Sequence, residues 1–415
     1  MLKRFLTKPV FELVKKRTTK DFRSSLLDVI HVGIEHLDLS GGEIQGAGCG
    51  GVLAPDSQSY TTFRPLLHPI ICVLQDTPPE KKHPKDDWDL LLSQHVGGPL
   101  IDPKSIFVES VSITISRSIK GYPFLHRMDE KHLKRMETEL KRTFKLITMG
   151  QKNKTVSAQE KEEQGISISN GTYFSIENLP KGLERQLDRE GILFDKNDPG
   201  LNTANAYKHW PNGRGIFLIG QTHQNVENNS TKKKVNLLNI VSSCVFISTK
   251  IKSLYPIVLY LTILFIQLKD VSFVWVNESD HLKCVVGRKD GNLYEAFLVA
   301  YEILNEINGY LSYERDNEQF GYLTISPSMV GTGLKASVRL RLPFLGDEEI
   351  FRNEICLQHG LVCEDAITNN HDPKLNNFFQ LSNKCTYGQT ETEILQGVYR
   401  GVREVISIES RYKQP

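Results

Sequence analysis

The sequence lacks an excess of charge of either sign. Its 415 residues contain 51 lysines and arginines against 49 aspartates and glutamates, so the formal net charge is +2 at pH 7. The basic residues are scattered among acidic ones, whereas nucleic-acid-binding proteins gather them in patches. The composition therefore argues against nucleic acid as a partner of this chain.

Cysteine is also scarce, and its spacing excludes two classes of protein. The seven cysteines lie far apart, their number is odd, and no C-x-x-C pair occurs. A disulfide framework or a zinc site would need a different pattern, so neither is expected, and we predict no metal-ligating residues. Cysteines of this kind fit a reducing compartment, and we expect a cytoplasmic location.

Long apolar runs are nearly absent. The N-terminus alternates apolar and basic side chains and has no unbroken apolar core of the kind found in signal peptides. Residues 254–268 carry no charge, but the run is shorter than the roughly 20 residues of a membrane span, and Pro256 interrupts it. We expect no stable membrane insertion. A buried insertion, a membrane helix and a retained intron are the interpretations that the sequence leaves open here.

What the sequence does contain is a mixture of strand and helix periodicity. Strict alternation over residues 107–116 predicts a strand with an apolar face and a polar face. The apolar face would carry Phe107, Glu109, Val111, Ile113 and Ile115, and the polar face Val108, Ser110, Ser112 and Thr114. Further strands are predicted at 273–276, 283–286, 322–325 and 336–342, and helices at 25–36, 128–147, 293–307 and 391–408. Because strands and helices do not alternate regularly, the pattern favours α+β over a parallel sheet.

The chain divides into a small and a large predicted domain. Residues 1–98 should form a small all-helical domain, in which the glycine-rich residues 41–51 make a loop. Residues 105–415 should form a larger domain with a mostly antiparallel sheet flanked by helices. We expect atypical insertions near 148–166 and 220–269.

Several short motifs occur in a fixed order along the chain. They read APD at 54–56, RS at 117–118, GYPF at 121–124, WPNGRGI at 210–216, FVWVNESDHL at 273–282 and LSNK at 381–384. In this order they resemble the motifs of the phosphagen (ATP:guanidino) kinases, a family that includes arginine and creatine kinases. Residues 321–342 also resemble a family segment. The resemblance covers nearly the whole chain except 152–164 and 220–268.

The resemblance implies both a fold and a reaction. It implies a helical N-terminal domain, an antiparallel sheet domain and a ligand cleft between them. Phosphagen kinases transfer the γ-phosphoryl group of MgATP to a guanidinium nitrogen, and such transfer depends on alignment and charge neutralisation. The implied ligands are MgATP or MgADP and a guanidino compound.

The nucleotide-contacting positions implied by the resemblance have lost most of their arginines. Ser112 and Thr114 stand where the family has an arginine pair, and Lys283 and Lys335 each replace an arginine. Arginine pairs with phosphate through a planar two-pronged fork that lysine does not offer. Arg339 and Gly191 replace histidines, and Ser110 matches a family serine. The implied nucleotide-binding set is therefore Ser110, Ser112, Thr114, Gly191, Lys283, Lys335 and Arg339.

The substrate side has changed as well. Glu278 keeps one family carboxylate, Ser279 replaces the second, and Ser326 replaces a reactive cysteine. These three residues form the implied catalytic set. The implied substrate-specificity loop consists of Gly48, Cys49, Gly50, Gly51 and Leu53.

These replacements leave three hypotheses open. Loss of three or more arginines would remove on the order of 5 kcal/mol of phosphate binding, which favours a pseudoenzyme that binds a protein partner or a weakly held nucleotide. The alternative is a divergent but active ATP:guanidino phosphotransferase that uses Lys283, Lys335 and Arg339. A third possibility is a misannotated product of a paralogous gene. Ser326 and His281 are residue types that serve as nucleophile and base, but nothing in the sequence places them together.

Overall fold

The computed structural model describes most of the chain. The described residues are 1–35, 49–87, 100–150, 171–189, 192–194, 196, 198–219, 271–345, 349–365 and 377–412. Gly48, Gly191 and nearly all of the two predicted insertions lie outside these ranges. The domain boundary predicted between residues 98 and 105 falls beside residues 88–99, which are also outside them, so it stays a prediction.

The N-terminal part is helical, as predicted. Apolar residues recur at helical spacing in the third helix and bury its inner face, including Leu26, Val29, Ile30 and Val32. The helices described in this part are α1 (Leu2–Phe5), α2 (Lys8–Val14), α3 (Leu26–Glu35), α4 (Ser59–Thr62) and α5 (Arg64–Leu74).

Asp56, the acidic residue of the APD motif, holds this helical part together. Its side chain is fully buried and accepts hydrogen bonds from the hydroxyls of Thr19 at 2.7 Å and Ser24 at 2.6 Å. The Ser59 backbone N–H and hydroxyl each donate to its other oxygen at 2.9 Å. A buried carboxylate needs such partners, so the motif has a structural role.

The large part is built on one eight-stranded sheet. Its strand order is β2-β3-β4-β5-β1-β8-β10-β9, and every neighbouring pair is antiparallel. This arrangement confirms the predicted α+β fold. The sheet strands are β1 (Val108–Arg117), β2 (Gly171–Ser175), β3 (Gly215–Ile219), β4 (Val271–Val276), β5 (Leu282–Arg288), β8 (Leu334–Arg341), β9 (Leu361–Asp365) and β10 (Phe378–Asn383), while β6 (Arg315–Asp316) and β7 (Gly321–Tyr322) form a separate ribbon.

Helices cover one face of the sheet and make the main core. The helices described here are α6 (Glu130–Thr148), α7 (Lys181–Arg189), α8 (Pro199–Thr203), α9 (Leu293–Asn308), α10 (Glu349–Gln358) and α11 (Glu391–Tyr412). Helix α9 packs on β1 and β5, and α11 packs on β8 and β10. A second, smaller apolar cluster around Phe273 and Trp275 includes residues of α7. In the described part of the chain, no helix is both long and apolar enough to cross a lipid bilayer.

The hairpin of β3 and β4 is preserved although residues 220–270 separate the two strands. Phe217 pairs with Val274 and Ile216 with Trp275 in a regular antiparallel register. The two strand motifs recognised in the sequence therefore lie side by side, and the insertion joins their ends.

Two sequence predictions were wrong in detail. The register of β1 against β8 shifts between Val108 and Ser110, so the strict alternation breaks at Glu109. Val108 is buried and Glu109 is exposed, the reverse of the predicted faces, because an extra residue in one strand turns the following side chains over. The strand predicted at 322–325 stops after Tyr322, and a 3₁₀ turn follows at Pro327–Met329.

The small helical part is fastened to this turn by hydrogen bonds. The Tyr60 hydroxyl donates to the Thr324 carbonyl at 2.7 Å, and the Ala54 N–H donates to the Ile325 carbonyl at 2.8 Å. The Gln75 side-chain amide donates to the Ser328 carbonyl at 2.6 Å. The segment that contains Ser326 is therefore held from both parts of the chain.

Glu391, at the start of α11, should make stability depend on pH. It is 1% exposed, and neither carboxyl oxygen has a hydrogen-bond partner among the described residues. Burial and the negative charges of Asp86 and Asp87 raise its pKa to about 7, against the opposing effects of its own backbone N–H and of Arg117. The folded state therefore holds the Glu391 proton more tightly than the unfolded state does. The stabilisation that this proton gives is fully present below the ordinary pKa of a glutamate and is lost as pH rises through 7.

Glu391→Gln stays neutral at both pH values. We expect the free energy of unfolding of this variant, relative to that of the parent protein, to increase by on the order of 3 kcal/mol between pH 4.5 and pH 8. Urea unfolding of both proteins at the two pH values measures this difference. The exposed Glu318→Gln should show no such pH-dependent gain. A gap between parent and Glu391→Gln that does not change with pH would contradict the expectation.

Candidate functional site

A cavity of about 480 Å³ lies on the sheet face opposite the main core. Strands β1, β4, β5, β8 and β10 all contribute side chains to it. It collects six of the residues that the sequence assigned to the site, which are Ser110, Ser112, Thr114, Glu278, Lys283 and Arg339. The predicted polar face of β1 therefore lines a real cavity.

Strand β1 presents only small hydroxyl groups to this cavity. Across the sheet, Ser112 pairs with Gly287 of β5 and with Ser337 of β8. Thr114 pairs with Val285 and Lys335 in the same way. Because residues two apart in a strand share a face, Ser110, Ser112 and Thr114 form one row that faces the cavity and carries no charge.

The cavity lining includes four cations, Lys283, Arg288, Lys289 and Arg339. Arg288 pairs with Asp290 and Glu295. Lys283 Nζ lies 3.1 Å from Glu278 Oε1, and Arg339 Nε lies 2.7 Å from Glu109 Oε2. Arg339 reaches Glu109 because the irregularity in β1 leaves that side chain on the exposed edge of the strand. Each pair reduces the positive potential that a phosphate would meet.

Lys335 lies outside the cavity lining but on the same face of β8 as Arg339. Its Nζ is 3.9 Å from Glu364 Oε2 on β9. In the sheet, Gln380 of β10 stands between Arg339 and Glu364, since it pairs with both of them. Lys335, Arg339 and Arg341 share a strand face as the sequence predicted, and the first two of them already have acidic neighbours.

Glu278 has both oxygens engaged. Besides the contact with Lys283, its Oε2 accepts a hydrogen bond from the Ser279 hydroxyl at 2.7 Å. Only 7% of the residue is exposed. A guanidinium ligand would therefore have to displace these two contacts before it could pair with this carboxylate.

Two neighbours of Glu278 are fixed by the fold. The Ile325 N–H donates to Asp280 at 2.9 Å, and burial raises the pKa of Asp280 to about 6. The Ile119 N–H donates to Nδ1 of His281 at 2.9 Å, while Nε2 faces the Pro123 carbonyl at 3.0 Å. Both imidazole nitrogens are thus committed to the backbone, and burial lowers the His281 pKa to about 4. The sequence offered no reason to pair Ser326 with His281, and these contacts leave neither ring nitrogen of His281 available for such a pair.

Ser326 and the described part of the substrate loop lie apart from the cavity lining. The Ser326 hydroxyl hydrogen-bonds the Ser328 hydroxyl at 2.8 Å. Cys49 and Leu53 are buried, and burial raises the pKa of the Cys49 thiol. Gly50 and Gly51 form a turn with φ of 66° and 82°, which glycine adopts without strain. The predicted role of these residues, with Ser279, stays a prediction.

Several residues near the site escaped the sequence reasoning. Glu109 and Glu364 could not be identified as partners of Arg339 and Lys335, because each contact depends on strand pairing between distant segments. Ile192 and Leu193 line the apolar side of the cavity but follow a helix that carries no distinctive motif. The polar Gln380 of β10 gave a usable signal, since it stands one residue before the LSNK motif.

Comparison with known proteins decides the family. The description "ATP:guanido phosphotransferase, C-terminal catalytic domain" matches residues 246–412, and the N-terminal domain of the same family matches residues 1–72. Arginine kinase of Eriocheir sinensis is 30% identical over 410 residues, which cover 99% of this chain and 92% of that protein. The chain belongs to the phosphagen kinase family. Arginine kinase of Limulus polyphemus is 29% identical over 418 residues, with 99% and 92% coverage.

Solved phosphagen kinases share the fold. A lombricine kinase superposes with a TM-score of 0.72 at 21% identity and covers 99% of this chain and 92% of that one. The duplicated taurocyamine kinase of Schistosoma mansoni, solved with transition-state analogue components, gives 0.72 at 20% identity. This chain spans 46% of that duplicated protein. At these identities the likeness supports the fold alone.

Phosphagen kinases use ATP, so the lining was compared with what a triphosphate needs. Phosphate oxygens are best held by unpaired guanidinium groups and by magnesium. Here the lining offers hydroxyls on β1 and four cations, of which Lys283, Arg288 and Arg339 are already paired with carboxylates. The described residues therefore fit a magnesium triphosphate poorly.

Proposed function

We propose that this phosphagen kinase homologue is a pseudoenzyme that transfers phosphoryl groups very slowly or not at all. The observation that carries the proposal is the row Ser110, Ser112 and Thr114 on the cavity floor. Phosphoryl transfer is catalysed mainly by neutralising and aligning the transferred group. A row of neutral hydroxyls cannot neutralise that charge.

Phosphate binding is weakened in two ways, by the pairing of the remaining cations with carboxylates and by the absence of two arginines, and the two effects differ in size. Partly exposed ion pairs such as Arg339–Glu109 are worth only about 0–1 kcal/mol, so an anion could break them at small cost. A charge-assisted hydrogen bond contributes about 1.5–3 kcal/mol, compared with about 0.5–1.5 kcal/mol for a neutral one. The absence of arginine at Ser112 and Thr114 therefore weakens phosphate binding more than the pairing of Lys283 and Arg339 with carboxylates does.

The substrate side supports the same proposal. Glu278 is bound to Lys283 and Ser279, and Ser326 offers a neutral hydroxyl that is already hydrogen-bonded to Ser328. A serine hydroxyl is a weak anion and needs an adjacent base to react. With catalysis lost, the role left to the chain is binding, either of a small ligand in the cavity or of a protein partner.

A divergent but active ATP:guanidino phosphotransferase is the second candidate. One observation favours it, because Glu278 and Lys283, from the implied substrate and nucleotide sets, line the same cavity. MgATP would then be the phosphoryl donor, with Lys283, Lys335 and Arg339 holding its phosphates. The acceptor would be a guanidino compound such as arginine, lombricine or taurocyamine.

A coupled assay distinguishes the two candidates. The full chain is incubated with MgATP and, in turn, arginine, creatine, lombricine and taurocyamine, beside a family member of known activity. Removal of about 5 kcal/mol of transition-state stabilisation predicts turnover at least about 1,000-fold below the active relative. Turnover within tenfold of that relative, abolished by Lys283→Ala, would overturn the pseudoenzyme proposal.

A cytoplasmic location completes the proposal. The six cysteines in the described part of the chain are free thiols, as a reducing compartment would maintain them. Subcellular fractionation with an antibody against the chain tests this location, and recovery in the secreted fraction would contradict it.

A further inference from the structure

Residues 77–87, which we call the strap, follow α5 and contact the β6–β7 ribbon and the segment that leads into α11. The His83 N–H donates to the Gln319 carbonyl at 2.9 Å, and Gln319 Nε2 donates to the Lys81 carbonyl at 3.1 Å. The Tyr387 hydroxyl donates to the same Lys81 carbonyl at 2.6 Å, and the Tyr387 ring stacks on His83 with the ring centroids 5.9 Å apart. The middle of the strap is therefore fastened to elements that are distant from it in sequence.

The end of the strap carries two carboxylates, and each binds a different element. Asp86 accepts hydrogen bonds from both terminal nitrogens of Arg315 on β6, at 2.7 and 2.8 Å. Asp87 accepts a hydrogen bond from the Thr392 N–H, in the first turn of α11, at 3.4 Å. Two negative charges are thus held beside the start of that helix.

Glu391 lies in the same first turn, and no hydrogen bond would balance a charge on it. The residue is 1% exposed, and both of its carboxyl oxygens lack a partner among the described residues. Arg117 of β1 carries the opposite charge, but its Nη1 donates to the carbonyls of Ser116 and Thr332, each at 2.8 Å. Its guanidinium lies 3.6 Å from the centre of the Tyr322 ring. A buried carboxylate without hydrogen bonds is costly, so the closed strap favours the protonated form of Glu391.

Charged and titratable groups from the strap and from three strands surround this carboxyl. They are Asp86, Asp87, His83, Arg117, Arg315 and Tyr322. Burial and the two aspartates of the strap raise the pKa of Glu391 to about 7, against the effects of its own backbone N–H and of Arg117. Burial lowers the pKa of His83 to about 4 and raises that of Tyr322. Glu391 therefore changes its charge between pH 6 and pH 8, while His83 and Tyr322 stay neutral.

We propose that the strap is a pH-sensitive switch, closed over Glu391 while this carboxyl is protonated and released when it ionises beside Asp86 and Asp87. Ionisation places a third negative charge near two others where water is excluded, and like charges repel most strongly there. Release lets water reach the carboxylate, which then has the ordinary pKa of a glutamate. The stabilisation of the closed strap is fully present below that ordinary pKa and is lost as pH rises through 7. The switch does not depend on phosphoryl transfer.

Hydrogen exchange of the full chain, read by mass spectrometry of peptides from residues 77–87, measures opening of the strap. Protection factors, which correct for the intrinsic effect of pH on exchange, are compared at pH 6 and pH 8. The open fraction of the strap should increase about tenfold between these values. Peptides from β1 should exchange far more slowly than the strap at both pH values, because they open only with the whole fold.

Three variants complete the test. Glu391→Gln stays neutral and should abolish the tenfold change, whereas Glu318→Gln, an exposed residue of the β6–β7 ribbon, should retain it. Arg315→Gln removes the partner of Asp86 and should open the strap at both pH values. A change with pH that persists in Glu391→Gln, or a strap that exchanges no faster than β1, would overturn the inference. Unchanged protection in Arg315→Gln would also overturn it, because the strap would then be held by other contacts.

Discussion

Arginine at both Ser112 and Thr114 should strengthen the binding of MgADP by about 100-fold or more. Both side chains line the cavity from one face of β1, so two guanidinium groups there would point at the same bound anion. Two charge-assisted hydrogen bonds at about 1.5 kcal/mol each supply about 3 kcal/mol, which is about a factor of 100 in the dissociation constant.

The sheet has room for these longer side chains. Ser112 pairs with Gly287 on β5, and a Cβ added to Gly287 would have no heavy atom closer than 3.9 Å. Ser337 on the other side is also small. An arginine at position 112 therefore has small neighbours on both adjacent strands.

The matched control is Ser112→Gln with Thr114→Gln, which adds length without charge. Calorimetry with MgADP and with inorganic tripolyphosphate, at low and moderate salt, compares the two double variants. The arginine variant should bind both ligands with an affinity that falls as salt increases. If the glutamine variant gains as much, added contact area and not charge is responsible, and the charge argument behind the pseudoenzyme proposal is wrong.

Arg214→Ala should destabilise the protein by about 3–5 kcal/mol. The Arg214 side chain is fully buried and donates to the carbonyls of Asn277 at 3.0 Å, Asn212 at 3.3 Å and Ala206 at 2.6 Å. Its removal leaves these acceptors without their donor and opens a void between the chain segments that they belong to. The arginine of the WPNGRGI motif thus ties the β3–β4 hairpin to the segment that precedes it.

Urea unfolding of Arg214→Ala beside Arg185→Ala measures this loss. Arg185 lies on α7 and is exposed, so its replacement should change the free energy of unfolding by less than about 0.5 kcal/mol. Burial lowers the pKa of Arg214 to about 10. A loss below 1 kcal/mol in Arg214→Ala would mean that the carbonyls find other donors.

The elements with strong local periodicity followed from the sequence. Alternation placed β1 to within one residue at each end, and helical spacing located α3, α6, α9 and α11. The ordered motifs gave the family and with it the fold, because each carries residues that this fold needs, such as Asp56 and Arg214. Ser110, Ser112 and Thr114 could be assigned to one face before the structure was known, since a strand has a fixed period of two.

The electrostatic state of the site was decided by tertiary structure. A single extra residue in β1 brought Glu109 to Arg339, and pairing between β8, β10 and β9 brought Glu364 near Lys335. The sequence determined which charged groups are present, because composition and local spacing are encoded along the chain. Only the folded chain determined which of them neutralise each other, because Coulomb interactions depend on distances in space and these residues are far apart in sequence.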